Sequence, residues 1–232
     1  QFMAICGVVW MLIFNYAPMY GILIAFKKNY FVTTPLFSMK FLSGKTTPWM
    51  DHGGFGHFLK FFQDKEFIPV MTNTLGISLL KLAICFPIPI VFALLLNEVR
   101  NQRFKKVVQT ISYLPHFLSW VVLGGLLTKW MSESGLFNEI LVNLGLIEKG
   151  KTYLAYPQYF WPIVVISDLW KEMGWNAIIY LAAIAGIDQE MYEAARVDGA
   201  SRFRQIISIT LPSIAGTITI LFILAVGGLL NS

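Results

Sequence analysis

Charged residues are scarce in this sequence. Asp, Glu, Lys and Arg make up 13% of its 232 residues, about half of the ~25% that is usual in soluble proteins. The few charges are gathered into short segments and are not spread along helical faces. This distribution excludes a soluble enzyme, which needs a charged surface, and an intrinsically disordered tail, which is rich in charge and poor in apolar residues.

Cysteine, histidine and phosphate-binding glycines supply no recognisable reactive site. The two cysteines lie in apolar stretches without a CxxC partner, so a disulfide-rich secreted module is excluded. The three histidines lack the spacing of metal ligands, and no nucleophile, base and orienting group can be identified. Residues 44–46 read GKT, but Met39 replaces the first glycine of a phosphate loop. We predict no catalytic residue, no metal, no cofactor and no bound nucleotide.

Apolar residues, in contrast, make up 56% of the chain. A helix needs ~20 of them in a row to cross the ~30 Å hydrocarbon layer of a membrane. Because lipid offers no hydrogen-bond partner and the runs lack the two-residue alternation of barrel strands, we predict helices. The predicted fold class is all-α, a polytopic transmembrane helical bundle forming one domain over residues 1–232. Five runs are long enough to be spans, at residues 1–26, 69–96, 107–131, 159–187 and 214–230.

Three further features of the sequence bear on the fold. Prolines inside them predict kinks, because proline removes a helical hydrogen bond; these are Pro18, Pro87, Pro89 and Pro115. Apolar runs meet both chain ends, so we expect a fragment that is cut at both ends. In the connection after the first run, the aromatic residues of 56–67 predict an amphipathic helix at the outer surface.

The basic residues predict an orientation. The connections at 97–106 and 188–208 are short and rich in arginine, whereas the lysines of the longer connections, 27–68 and 132–158, are spread out. Short basic loops favour the cytoplasmic side, so we place the first two there. The net charge of +5 is therefore attributed to the lipid bilayer surface, and we predict no binding of nucleic acid.

A long motif occupies the loop at residues 188–212. Asp188 and Ser201 are suited to cap two short helices, and Gly199 between them is suited to a left-handed turn. Small and apolar residues on one side of the first helix suit it to docking against another protein, and these are Met191, Ala194, Ala195 and Val197. The loop matches the pattern EAA, three residues, G, nine residues, I, one residue, LP, at Glu193, Ala194, Ala195, Gly199, Ile209, Leu211 and Pro212.

This motif resembles that of the permease subunit of binding-protein-dependent ABC importers, which have the MetI-like fold. Further stretches resemble the carbohydrate-uptake branch: Asn73-Thr74-Leu75, Leu96-Asn97-Glu98, Tyr113-Leu114-Pro115-His116 and Asp168-Leu169-Trp170. The opening residues 16–21 and 24–27 resemble its polysaccharide and oligosaccharide permeases of the LplB type.

The resemblance implies a multi-pass protein of the bacterial inner membrane that is a transport subunit and not an enzyme, with a sixth core helix after Ser232. It implies that the loop docks on a separate cytoplasmic ABC ATPase dimer. Glu193 would meet a basic group there, Ala194 and Ala195 would permit close approach, and Gly199 would shape the turn. A second permease, which we expect to form a heterodimer with this chain, would complete the pore, and an extracytoplasmic solute-binding lipoprotein would deliver the saccharide.

The fourth run is interrupted by Asp168, Lys171 and Glu172. Each charge costs ~2.5 to 3.5 kcal/mol at the bilayer centre, so exposure to lipid at mid-depth is excluded. Two interpretations stay open: Asp168 lies in the outer headgroup zone, or the charged residues line the pore.

In the second interpretation, Asp168, Glu172 and Trp175 share one helical face with Lys171 beside them. Carboxylates and an aromatic ring are suited to bind a sugar. Lys81 has two interpretations: it is a partner for one carboxylate, or its side chain extends to the membrane surface without such a partner. Asn231 is a further candidate for the substrate path.

A different class of function, an ion-coupled secondary transporter or channel, is the alternative. Intramembrane Asp, Lys and Glu side chains can relay protons or bind ions. That alternative leaves the motif at 188–212 unexplained.

Overall fold

The computed structural model describes residues 2–28 and 49–229. Asn231 and the GKT sequence at 44–46 lie outside them. The described residues form helices and one isolated bridge between Lys27 and Trp49, with no β-strand among them. The predicted all-α class is therefore confirmed. The chain divides into two compact units, Gln1–Met71 and Thr72–Ser232.

The first unit begins with a continuous helical stretch at 2–26, called α1. It is α-helical at Phe2–Met11 and Ala17–Met19, a π-helix at Leu12–Tyr16 and a 3-10 helix at Tyr20–Phe26. Because Pro18 has no N–H to bond a carbonyl in the preceding turn, the chain departs from α geometry around it.

A short helix, α2 (Gly56–Gln63), follows in the first unit. Its Phe58 ring lies 5.4 Å from that of Phe26. The predicted helix over 56–67 is too long, because Asp64 has an extended backbone and its side chain accepts a hydrogen bond from the amide of Glu66.

Four helices and one tight turn follow. Helices α3 (Phe67–Cys85) and α4 (Pro87–Glu98) are separated by Phe86 alone, and the prolines of α4 stand in its first turn, where amide hydrogen bonds are not needed. Helix α5 (Gln102–Tyr113) runs into a 3-10 turn at Leu114–Phe117, after which α6 (Trp120–Trp130) leaves at an angle of 97°. The run at 107–131 is thus two helices, with the kink next to Pro115.

The remaining helices include the longest one. After α7 (Leu136–Asn143) comes α8 (Pro157–Ala185), with 29 residues. Helix α9 (Gln189–Val197) leads to α10 (Arg202–Ser213), which contains a π-helical segment at Ile206–Thr210. Helix α11 (Ala215–Gly227) is bent from α10 by 62°.

The core of the second unit lies between α4 and α8. Ala93 of α4 and Ala177 of α8 are fully buried, so these helices approach closely. On its other sides α8 packs through glycine: Gly174 lies against the Ser112 carbonyl of α5, and the Trp161 ring covers Gly76 of α3. Helix α8 is therefore the element around which α3, α4 and α5 are arranged.

Two helical stretches in the described part of the chain, Ile5–Phe26 and Phe67–Glu98, are long and apolar enough to cross a membrane. The bent pairs α5–α6 and α10–α11 raise the number to four if each is one span. The charged residues of α8 keep it out of this count, although its 29 residues would extend about 44 Å at 1.5 Å each. The five-span arrangement stays a prediction.

Gly174→Ala tests the packing of α8 on α5. A β-carbon at position 174 would overlap the backbone carbonyl of Ser112, and overpacking of this kind costs about 1–3 kcal/mol. We expect a lower thermal midpoint for the purified protein in detergent, measured by tryptophan fluorescence. Gly124→Ala in α6 is the control, since nothing lies within 4 Å of its β-carbon position. Equal midpoints for the two variants would contradict this packing.

Candidate functional site

The loop at 188–212 folds as two capped helices. The side chain of Asp188 accepts a hydrogen bond of 3.0 Å from the amide of Glu190, at the start of α9. Ser201 accepts one from the amide of Arg204, at the start of α10. Between them, Gly199 has a φ of +73°, which is favourable only for glycine. Both predicted caps and the predicted turn are confirmed.

The outer side of α9, which faces away from the bundle, carries motif residues, and no other residue that the structure describes covers it. Glu193 and Ala194 are exposed, and Ala195 is half-buried. Apolar side chains are exposed on the same loop, Val197 at 89% and Phe203 at 72%. Such a surface is suited to contact another protein. Gly199, Leu211 and Pro212 are also exposed and Ile209 is half-buried; their part in coupling stays a prediction.

The inner side of α9 is attached to the bundle. The Tyr192 hydroxyl lies 2.9 Å from Oγ1 of Thr210, which is 2% exposed. The next helix has an attachment of its own, since Nη1 of Arg202, the first residue of α10, lies 3.3 Å from Oε2 of Glu98 in α4. A polar cavity of about 750 Å³ is lined by residues of this loop and of the segment at 97–102. Sequence reasoning did not identify Tyr192, Thr210 or this ion pair.

Within α8, Lys171 and Glu172 belong to one network. Nζ of Lys171 lies 2.7 Å from Oε1 of Glu172 and donates a hydrogen bond of 2.9 Å to the His116 carbonyl. His116 donates from Nδ1 to Oε2 of Glu172 at 2.7 Å. The imidazole is stacked on Trp175, with ring centroids 4.2 Å apart. Lys171 is 5% exposed, whereas 41% of Trp175 is accessible. Sequence reasoning missed His116, because it is distant in the chain.

Asp168 is paired with Lys81 of α3, at 3.2 Å between Oδ1 and Nζ. The predicted pairing of Lys81 with a carboxylate is thereby confirmed. Beside this pair lies a cavity of about 300 Å³ whose lining includes Ser78 and Asn176. Sequence reasoning also missed Asn176. Its position could have indicated a functional residue, because it is an amide four residues after Glu172 in an apolar run.

All three charged groups of α8 thus have a partner of opposite charge, since Asp168 pairs with Lys81 and Lys171 pairs with Glu172. Pairing and hydrogen bonding are what allow charges to exist inside a membrane protein. Next to this network, the ring of Trp175 and the amide of Asn176 are accessible, on a helix long enough to cross a membrane. Such groups are able to bind a polar molecule that has apolar faces.

This chain matches a known protein family and is similar to known proteins, among them two of Bacillus subtilis. Residues 86–232 match the family described as "Binding-protein-dependent transport system inner membrane component". The chain is 42% identical over 230 residues to the polygalacturonan/rhamnogalacturonan transport system permease protein YteP of Bacillus subtilis (strain 168), covering 99% of this chain and 67% of YteP. It is 40% identical over 226 residues to protein LplB of the same bacterium, covering 97% and 67%.

Two solved structures are also similar. One is a bacterial ABC transporter involved in the import of the acidic polysaccharide alginate, with a TM-score of 0.86 and 41% identity over 99% of this chain and 72% of that chain. The other is a bacterial alginate ABC transporter in complex with an alginate pentasaccharide-bound periplasmic protein, with a TM-score of 0.83 and 40% identity over 99% and 71%.

Lys171→Met tests the network in α8. It leaves Glu172 without its ammonium partner and the His116 carbonyl without its donor, which costs about 1–3 kcal/mol for such groups. We expect a lower thermal midpoint in detergent, partly restored by adding Glu172→Gln. Lys149→Met, which changes an exposed lysine, is the control. A midpoint equal to that of the control would refute a stabilising role for the network.

Proposed function

Because the chain belongs to the family of binding-protein-dependent transport system inner membrane components, we propose that it is the permease through which an ABC importer moves a saccharide across the bacterial inner membrane. The expected family and MetI-like fold are confirmed. The chain is a transport subunit and not an enzyme, since ATP hydrolysis in this family takes place on a separate subunit.

The observation that carries the proposal is the exposed outer side of α9. Glu193 and Ala194 are accessible on a short, capped helix that connects α8 to α10. A cytoplasmic ATPase dimer that closes on ATP can move this helix and thereby the helices on either side of it. In this proposal Glu193 meets a basic group of the ATPase, and Ala194 with Ala195 allows the two surfaces to approach closely.

The proposed substrate path includes the groups of α8 that sequence reasoning selected. Trp175 presents a ring to the sugar, and Asp168 with Lys81 presents polar groups beside the cavity that Asn176 also lines. Lys171 and Glu172 are bonded to each other and to His116, and His116 is stacked on Trp175. We therefore assign Lys171 and Glu172 the role of holding the Trp175 ring in position. An acidic oligosaccharide is the first substrate to test, since one of the similar structures is that of a transporter involved in the import of an acidic polysaccharide.

Two further partners complete the proposal. A second permease subunit, forming a heterodimer with this chain, supplies the other half of the pore. An extracytoplasmic solute-binding lipoprotein delivers the saccharide, in keeping with the periplasmic protein bound in one of the similar structures. Asn231 is kept as a substrate-path candidate from the sequence.

Transport by the assembled complex in proteoliposomes tests the function. We expect saccharide uptake that requires ATP, the ATPase and the binding protein. Uptake driven by an ion gradient without ATP would overturn the proposal and favour a secondary transporter or channel.

Glu193→Lys is expected to prevent the ATPase from copurifying with the chain in mild detergent. Like charges brought together at an interface cost several kcal/mol, so retention of the ATPase should fall about tenfold or more. Glu148→Lys makes the same change at an exposed residue of the connection on the other predicted side and is the control. Normal copurification of the Glu193 variant would remove its assigned role.

Trp175→Leu is expected to raise the saccharide concentration needed for half-maximal uptake by about two- to tenfold, the effect of losing one aromatic contact. Copurification of the ATPase should be unchanged, because Trp175 lies within α8, distant from the loop at 188–212. Trp170→Leu is the control, since Trp170 lines a separate apolar cavity between α6, α7 and α8. Equal uptake curves for the two variants would exclude Trp175 from the substrate path.

A further inference from the structure

The polypeptide connections of α9 do not by themselves explain how its movement reaches the bundle. The helix is joined to α8 by residues 186–188 and to α10 by residues 198–201. Both connections are short turns, and the second contains Gly199 with a φ of +73°. A helix that is held only by turns can rotate or slide when the ATPase moves it. The movement then does not reach the other helices.

The Tyr192 side chain supplies the missing attachment. Its ring packs against the buried cluster that contains Ile187 and Ile214. Its hydroxyl lies 2.9 Å from Oγ1 of Thr210, which is 2% exposed and ends the π-helical segment of α10. The contact therefore joins α9 to the residues just before α11.

The residue of α9 that is proposed to meet the ATPase, Glu193, and the residue that attaches the helix to the bundle, Tyr192, lie on different faces of α9. Adjacent residues in an α-helix differ by about 100° around its axis, so Tyr192 points inward while Glu193 is exposed. A force applied at Glu193 passes through the helix to Tyr192 and from there to Thr210. The ion pair between Arg202 and Glu98 does not replace this route, because it joins α10 to α4. Its side chains are 54% and 35% exposed, and exposed ion pairs of this kind contribute little.

We propose that Tyr192 and Thr210 are a positioning pair, which transmits the movement of α9 to α10 and α11 and so couples ATP hydrolysis to transport. Neither residue contacts ATP or saccharide in this assignment. The inference rests on the proposed function and adds the route by which the force travels.

The test uses the assembled transporter in proteoliposomes, with Tyr192→Phe and Thr210→Val, which remove one hydroxyl each and keep the shape. We expect saccharide imported per ATP hydrolysed to fall about two- to tenfold, the effect of one hydrogen bond, while the ATPase still copurifies. Thr210→Ser, which keeps the hydroxyl, should restore the ratio. Thr210→Val also removes the 3.5 Å hydrogen bond from its hydroxyl to the Gln205 carbonyl. The double variant should therefore lose no more of the ratio than Thr210→Val alone, because Tyr192→Phe removes only the bond to Thr210.

The controls separate coupling from stability. Arg202→Gln removes the exposed ion pair and should leave the ratio unchanged. A ratio that is unchanged in both hydroxyl variants, or effects that add in the double variant, would overturn the positioning pair. A lower thermal midpoint with a normal ratio would also overturn it, since the pair would then be structural only. Failure of the unmodified complex to use ATP would instead overturn the proposed function itself.

Discussion

The pairing of charges on α8 is the interaction on which the arrangement of the second unit depends. The partners come from separate parts of the chain, Lys81 from α3 and His116 from the turn that follows α5. Lys171 also donates to the His116 carbonyl, at the point where the helix breaks and its last carbonyls lose their partners. In a membrane an unsatisfied carbonyl costs several kcal/mol. The 97° bend and the charges of α8 therefore stabilise each other.

In the proposed substrate path, the same pairing determines which groups of α8 a sugar would contact. Because Asp168 and Glu172 already have cationic partners, neither presents an isolated charge that would hold a ligand tightly. A transport path needs sites that bind well enough to admit a substrate and weakly enough to release it. The stacked ring of Trp175 and the amide of Asn176 are uncharged groups on the accessible side of α8, and they meet this requirement.

Local features could be predicted from the sequence, and features that depend on distant residues could not. The caps at Asp188 and Ser201 and the turn at Gly199 follow from neighbouring residues, and all three were predicted correctly. His116 and Glu172 are 56 positions apart, so only the tertiary fold reveals their bond. Pro115 indicated a kink but not its size, because the angle depends on how α5 and α6 pack on α8. The role of the motif in coupling was taken from a family resemblance.

Helix α9 has nine residues, fewer than the ~12 to 15 that an isolated helix needs to be even marginally stable in water. Its helical state therefore relies on the Asp188 cap and on the burial of Tyr192 against the bundle. A tyrosine suits that position because the ring supplies apolar area while the hydroxyl finds a partner in Thr210. In the proposed coupling route the two parts of this side chain differ in role: the packing of the Tyr192 ring helps to keep α9 folded, and the hydroxyl fixes the direction of the helix.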